Sequence, residues 1–153
     1  MKGPPNPWTK WTRRSEKVRG ARGTMVGVDT NVLVRLLTGD DEAQFRKARG
    51  LLQDHAVYIA KSVILETEWV LRYAYGLKPQ AIADALEKVL GLNRVVVEAG
   101  AQVTRAVEWV REGMDFADAL HLASTPPTAE AFVSFEKKLV KRAPAGPAHA
   151  RLL

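Results

Sequence analysis

Five acids stand where packing alone gives a carboxylate little reason to be. Asp29 closes the apolar run "MVGVD". Glu66 lies inside "ILETEWVLRYAYG". Asp115 and Asp118 fall in "GMDFADALHLAS", and Glu136 follows Ser134 by two residues in "AFVSFEKKL". Carboxylates brought together repel one another unless they take up protons or a cation. All-oxygen donors suit hard ions, so Mg²⁺ or Mn²⁺ is expected rather than zinc. A divalent ion held this way activates water and neutralises charge on a phosphate oxygen during in-line attack on a phosphodiester, with no side-chain nucleophile. Thr30, Asn31 and Ser134 flank the acids and can hydrogen-bond a metal ligand or a water. Arg35 and Lys61 are candidate phosphate contacts, though each reads equally well as an exposed charge.

Several of these residues also have a plainer reading. Asp29 can cap the helix that follows it. Asp115 is a good N-cap with Asp118 at the third helical position, and helix starts favour acids. His55, His121 and His149 have no ligand spacing, and His121 lies on the polar flank of its helix. Glu66 is the most informative. At about 100° per residue it falls between Val70 and Tyr73 with Trp69 close by, on the apolar face. Glu68 falls on the opposite side, where an exposed pair with Arg72 at i+4 is worth only tenths of a kcal/mol. A carboxylate on a core-facing stripe needs partners, because burying it alone is costly.

The elements that must position these acids alternate. Strands are expected at Val26–Asp29, Val57–Ala60, Val95–Val97 and Ala131–Ser134, with a final edge strand at His149–Leu152. Helices are expected from Asn31 to Leu37, ended by Gly39, and from a capping box at Asp41 and Gln44 to about Asp54. Further helices cover Ser62–Tyr75, the segment opened by Pro79, Ala99–Arg111, Asp115–Ser124 and Glu136–Arg142. The strands read as apolar on both sides and are separated by helices. That predicts an α/β fold, a three-layer α/β/α sandwich with a central parallel sheet. Sites in such sheets form beyond the carboxyl ends of the strands. Asp29 and Glu136 therefore meet on one edge if their strands are neighbours.

Composition narrows the classes. Cysteine is absent, which excludes disulfides, zinc–thiolate sites and cysteine nucleophiles. No apolar run is long enough to span a bilayer, and the basic N-terminus lacks a signal-peptide segment, so a cytoplasmic protein is expected. Residues 1–24 hold seven Lys or Arg against the single acid Glu16, and the rest of the chain carries sixteen charges of each sign. The whole net charge of +6 thus sits in the arm, and the globular part is neutral. The arm is Pro- and Gly-rich without amphipathic period and reads as disordered. Trp8 and Trp11 could stack on bases there, but a solvated leader before a start at Met25 is the preferred reading. The expected organisation is an arm over 1–24 and one domain over 25–153.

"VDTNVLVRLLTGDD", "ILETEWVLRYAYGL", "DFADALHLA" and "FVSFEKKL" resemble the successive motifs of the PIN domain. They look most like the bacterial and archaeal toxin ribonucleases of VapBC toxin–antitoxin modules. The resemblance runs from Met25 to about Leu153 and leaves out the arm. It implies Mg²⁺- or Mn²⁺-dependent cleavage of single-stranded or structured RNA, a homodimer, and inhibition by a small cognate antitoxin. By motif position Asp29, Glu66 and Asp118 match the family's first three acids, and Asp115 the accompanying acid of many members. Thr30 and Asn31 match the polar residues after the first acid. Ser134 stands where Thr or Ser is usual. Glu136 stands where Asp is usual, and its longer side chain would reach a metal through water.

Three other readings compete. A haloacid-dehalogenase-like phosphatase also opens on a strand ending in Asp, but it needs a second Asp where this chain has Asn31. A PIN-like fold can act as an interaction scaffold without catalysis. A housekeeping RNA-processing nuclease would share the chemistry without an antitoxin; a small upstream reading frame with a DNA-binding N-terminus would favour the toxin.

Overall fold

The computed structural model describes residues 24–145 and 149–153. Apart from Thr24, the arm expected over residues 1–24 lies outside the described residues, as does part of the segment before the final strand. The elements run β1 (Met25–Gly27), α1 (Thr30–Thr38), α2 (Glu42–Asp54), β2 (Ala56–Ile59), α3 (Lys61–Tyr73) and α4 (Pro79–Leu90). They continue with β3 (Val95–Val97), α5 (Gly100–Arg111), α6 (Phe116–Ser124), β4 (Phe132–Ser134), α7 (Lys137–Arg142) and β5 (Ala150–Leu152). No helix among the described residues is long and apolar enough to cross a membrane.

Local chemistry sets the boundaries. Gly39 ends α1 in the left-handed region at φ 61°, where its N–H reaches the Arg35 carbonyl. Pro79 opens α4 at a position whose N–H needs no helical partner. Asp41 caps α2 by accepting from the Gln44 N–H at 2.9 Å. Only half of the expected capping box forms. The Gln44 side chain accepts from Arg35 Nε at 3.0 Å instead of turning back to the cap.

The α/β class holds, and every strand pairing is parallel. The strands are not one continuous ladder, however. Among the described residues β1, β2 and β3 form a three-stranded sheet in that order, while β4 pairs only with β5. The Phe132 N–H donates to the His149 carbonyl, and the Leu153 N–H to the Ser134 carbonyl, so the β4 ladder bonds run to β5. Strands of three residues have few such bonds to share. Val57 and Ile59 bury one face of β2 while Ala56 and Tyr58 on the other are half-buried, and Met25 of β1 and Val96 of β3 are exposed, so full burial on both faces is not reached.

The core is largely helical. Leu33 and Leu37 of α1 meet Ile64 and Leu71 of α3. Ile82 and Leu86 of α4, Val103 and Val107 of α5, and Phe116 and Leu120 of α6 complete the same cluster. The helices pack in chain succession, α3 on α4, α4 on α5 and α5 on α6, while α1 also touches α3 and α3 touches α6. The last two contacts bring the acid-bearing helices together.

Two left-handed positions offer opposite tests. Gly39 has only Phe45 Cδ2 near an added Cβ, at 3.8 Å, so a methyl there strains the backbone without a clash. Ala99, just before α5, adopts φ 49° with its Cβ already present. Gly39→Ala should lower stability by about 1 kcal/mol and Ala99→Gly should raise it by up to about the same amount. Urea melts check both signs.

Candidate active site

Asp29 follows β1 and caps α1, its Oδ1 accepting from the Val32 N–H at 3.0 Å. Its Oδ2 accepts no hydrogen bond among the described residues. Capping and chemistry are therefore not exclusive here, because each can use a different oxygen. The next residue, Thr30, is buried, and its Oγ1 donates to Glu66 Oε2 at 2.5 Å. That bond fastens the middle of α3 to the first turn of α1, beside Asp29. Asn31 is exposed on the same turn.

The burial expected along α3 is inverted. Glu68, expected to be exposed, is only 5 % accessible, whereas Glu66, expected on the core-facing stripe, faces solvent. The buried stripe is Ile64, Thr67, Glu68 and Leu71, and Trp69 and Tyr73 point outward. Treating the aromatics as core markers rolled the helix the wrong way. Glu68 can lie inside because Arg72 Nε donates to its Oε1 at 2.7 Å. Arg72 Nη1 also donates to Asp115 Oδ2 at 2.7 Å, joining α3 to the start of α6. Sequence reasoning missed this three-membered bridge; its one visible sign was the i+4 spacing of Glu68 and Arg72.

The bridge accounts for the local ionisation. Burial pushes the Glu68 carboxyl up, against the pull of Arg72. Burial also works against the Arg72 charge, but its bonds to Asp115 and Glu68 outweigh that and hold it more firmly protonated than an ordinary guanidinium. Asp115 is partly desolvated too, yet Arg72 and the N–H groups of Asp118 and Ala117 draw its carboxyl below the usual range. Both Asp115 oxygens are therefore engaged, Oδ1 as the cap of α6 and Oδ2 with Arg72. A direct metal contact by Asp115 would require Arg72 to release it.

Asp118, one turn into α6, accepts no hydrogen bond among the described residues. Its carboxyl is pushed up by burial first and then by the Asp115 charge, with Glu136 adding to the rise and His121 opposing it. Glu136 thus acts on the Asp118 side of the molecule. It caps α7 by accepting from the Lys138 N–H at 3.0 Å, and its own N–H donates to Ser134 Oγ at 3.0 Å. The candidate acids are linked in this way as Asp29 with Glu66 and as Asp118 with Asp115 and Glu136. Among the described residues no three His, Asp or Glu side chains form a ready group for a metal ion. The donor chemistry nonetheless suits a hard cation. Oxygens remain without hydrogen bonds on Asp29, Glu66 and Asp118, and mutual repulsion favours spacing such groups until a cation joins them.

The two basic candidates differ. Arg35 is bound into the fold: Nη1 donates to Asp40 Oδ2 at 2.6 Å and to the Tyr75 hydroxyl at 2.9 Å, while Nε reaches Gln44. Asp40, desolvated but held by Tyr75, Thr38 and Arg35, falls to about 2. Arg35 therefore staples the end of α1 to the segment after α3. Lys61 opens α3, and its ammonium donates to Gln102 Oε1 and Ser124 Oγ, both neutral. Its backbone N–H donates to Glu98 Oε2 at 2.8 Å, while the ammonium pairs with no carboxylate among the described residues and keeps one N–H for a further acceptor.

Removing Arg72 tests the bridge. Arg72→Ala leaves Glu68 buried without its cation and should cost about 3 kcal/mol near pH 7. In that variant the folded Glu68 pKa lies well above its unfolded value. Its stability is then retained below the unfolded pKa and lost as pH rises through the folded one. Melts at pH 4 and pH 7 should show the gap to wild type widening at the higher pH.

Residues 26–144 match the PIN domain profile. Neither the curated proteins nor the solved structures include a match to the chain. The profile covers most of the chain, from β1 through α7, and takes in all five candidate acids. The chain belongs to the PIN domain family, whose members are generally metal-dependent nucleases.

Proposed function

We propose that the chain is a metal-dependent endoribonuclease that hydrolyses RNA phosphodiesters with metal-activated water. We further propose that it is the VapC-like toxin of a type II toxin–antitoxin pair. It would act in the cytoplasm as a homodimer, with a cognate antitoxin protein as its inhibitor and residues 1–24 as an arm outside the nuclease domain. The observation that carries the nuclease reading is the Thr30–Glu66 hydrogen bond, which holds two family-position acids at the start of α1. The PIN match and the order of the acid motifs support it.

In this reading Asp29, Glu66 and Asp118 would hold Mg²⁺ or Mn²⁺, which supplies an activated water and offsets charge on phosphorus when bound. Glu136 adds negative charge from the start of α7 and acts through water. Asp115 positions: it caps α6, which carries Asp118, and anchors α6 to α3 through Arg72. Thr30 orients Glu66 by donating to one of its oxygens and leaving the other available. Asn31 and Ser134 serve as polar neighbours of a ligand or water. The free N–H of Lys61 is suited to a phosphate oxygen, whereas Arg35 keeps its structural partners.

A second reading, a PIN-fold scaffold without catalysis, draws on the lack of a preassembled metal group among the described residues. Two measurements separate the readings. Asp29→Asn keeps an oxygen able to cap α1 and should reduce RNA cleavage at least 100-fold while the melting temperature stays within a few degrees. EDTA should abolish wild-type cleavage and Mn²⁺ should restore it. Full cleavage by Asp29→Asn would sink the metal-nuclease proposal. Calorimetric titration with Mn²⁺ should give a site in wild type that Asp118→Asn weakens at least tenfold; a scaffold would give no carboxylate-dependent site.

A further inference from the structure

The face of α3 turned to solvent holds two large rings that the fold does not use. Trp69 is 58 % exposed and Tyr73 64 %, among the most exposed large apolar side chains described. Their ring centroids lie 5.3 Å apart at a tilt of 44°, so the rings touch and form one surface. The Arg72 guanidinium lies 5.8 Å from the Tyr73 centroid and is itself held by Glu68 and Asp115, which steadies that end of the pair. Glu66, Trp69 and Tyr73 follow one another at i, i+3 and i+7 and share a face of the helix. A groove of about 420 Å³ runs along this face, with Glu66, Trp69, Arg72, Tyr73 and Asp115 in its walls.

We propose that Trp69 and Tyr73 form a stacking platform for unpaired bases, which selects single-stranded RNA and feeds the strand past Glu66. The inference rests on the nuclease reading and deepens it. The groove's charges favour a base over a phosphate. Arg72 is its one cation and is already matched by two carboxylates, while Glu66 keeps an oxygen without a hydrogen bond. An anion entering the groove meets net negative charge, whereas a neutral base meets aromatic faces. Stacking on aromatic side chains tolerates any base, because every base has a π-face. Paired bases are already stacked within a helix, so the platform discriminates by strandedness. A nuclease with no side-chain nucleophile depends on positioning of this kind.

The test is anisotropy with a labelled single-stranded RNA, run in EDTA so that binding is read without cleavage. Trp69→Ala and Tyr73→Ala should each weaken binding roughly five- to hundredfold. Trp69→Phe and Tyr73→Phe keep a ring and should recover most of the affinity. The same RNA annealed to its complement, or carrying abasic sites, should bind wild type more weakly and be nearly indifferent to Trp69→Ala. Unchanged affinity in both alanine variants overturns the platform, as does an equal loss for abasic RNA. A change in oligomeric mass with RNA affinity unchanged would assign the face to a protein partner and also overturn it. If wild type binds and cleaves RNA while the alanine variants retain affinity, only the platform fails. If wild type neither binds nor cleaves, the nuclease reading falls and the platform with it.

Discussion

A single guanidinium decides which way α3 faces. Arg72 holds Glu68 inside the protein and Asp115 at the start of α6, in the same rotation that buries Ile64 and Leu71. With Glu68 turned in, Glu66 two residues earlier must turn out, because neighbours at i+2 lie on nearly opposite sides of a helix. Trp69 and Tyr73 are carried out with it. The ion bridge is therefore less a contribution to stability than a choice of orientation. Replacing all three charges by apolar groups could leave the fold equally stable, but the rotation that brings Glu66 to Thr30 would then rest on Ile64 and Leu71 alone.

A second regularity concerns helix starts. Asp29, Asp115 and Glu136 are the N-cap residues of α1, α6 and α7. The N-terminus of a helix carries a partial positive charge and unpaired N–H groups. At Asp115 those N–H groups act with Arg72 to draw the carboxyl below its usual range. Helix starts thus set compensating partial charge beside three of the acids of one folded domain. The same arrangement explains why plain capping and a catalytic role were hard to tell apart at Asp29: the carboxylate caps with one oxygen and keeps the other available.

Much of the fold was legible because its signals are local. Gly39, Asp41, Pro79 and the strand at 95–97 act within a few residues, and the element limits expected from them lie close to those found. The family motifs were legible for the same reason. The burial of Glu68 was not, because the group that makes it tolerable includes Asp115, reached by Arg72 across 43 positions of sequence. Periodicity offered two stripes on α3 and hydrophobicity favoured the aromatic one, yet Trp and Tyr carry polar edges and tolerate water. Gln44 failed its expected part for a like reason, since Arg35 offered it a charged donor that no local pattern displays. The split between the two groups of strands likewise depends on which three-residue strand wins a partner, which spacing does not encode.

The acids of this domain are dealt out along almost its entire length: the first stands at position 29, the last at 136, more than a hundred residues on. During biosynthesis a ribosome must therefore add more than a hundred residues after the first carboxylate before the last one is made. A prematurely terminated product would contain the early helices yet lack part of the chemistry. For an enzyme whose proposed substrate is RNA, this order of manufacture withholds the full acidic set until more than a hundred residues beyond Asp29 have been made.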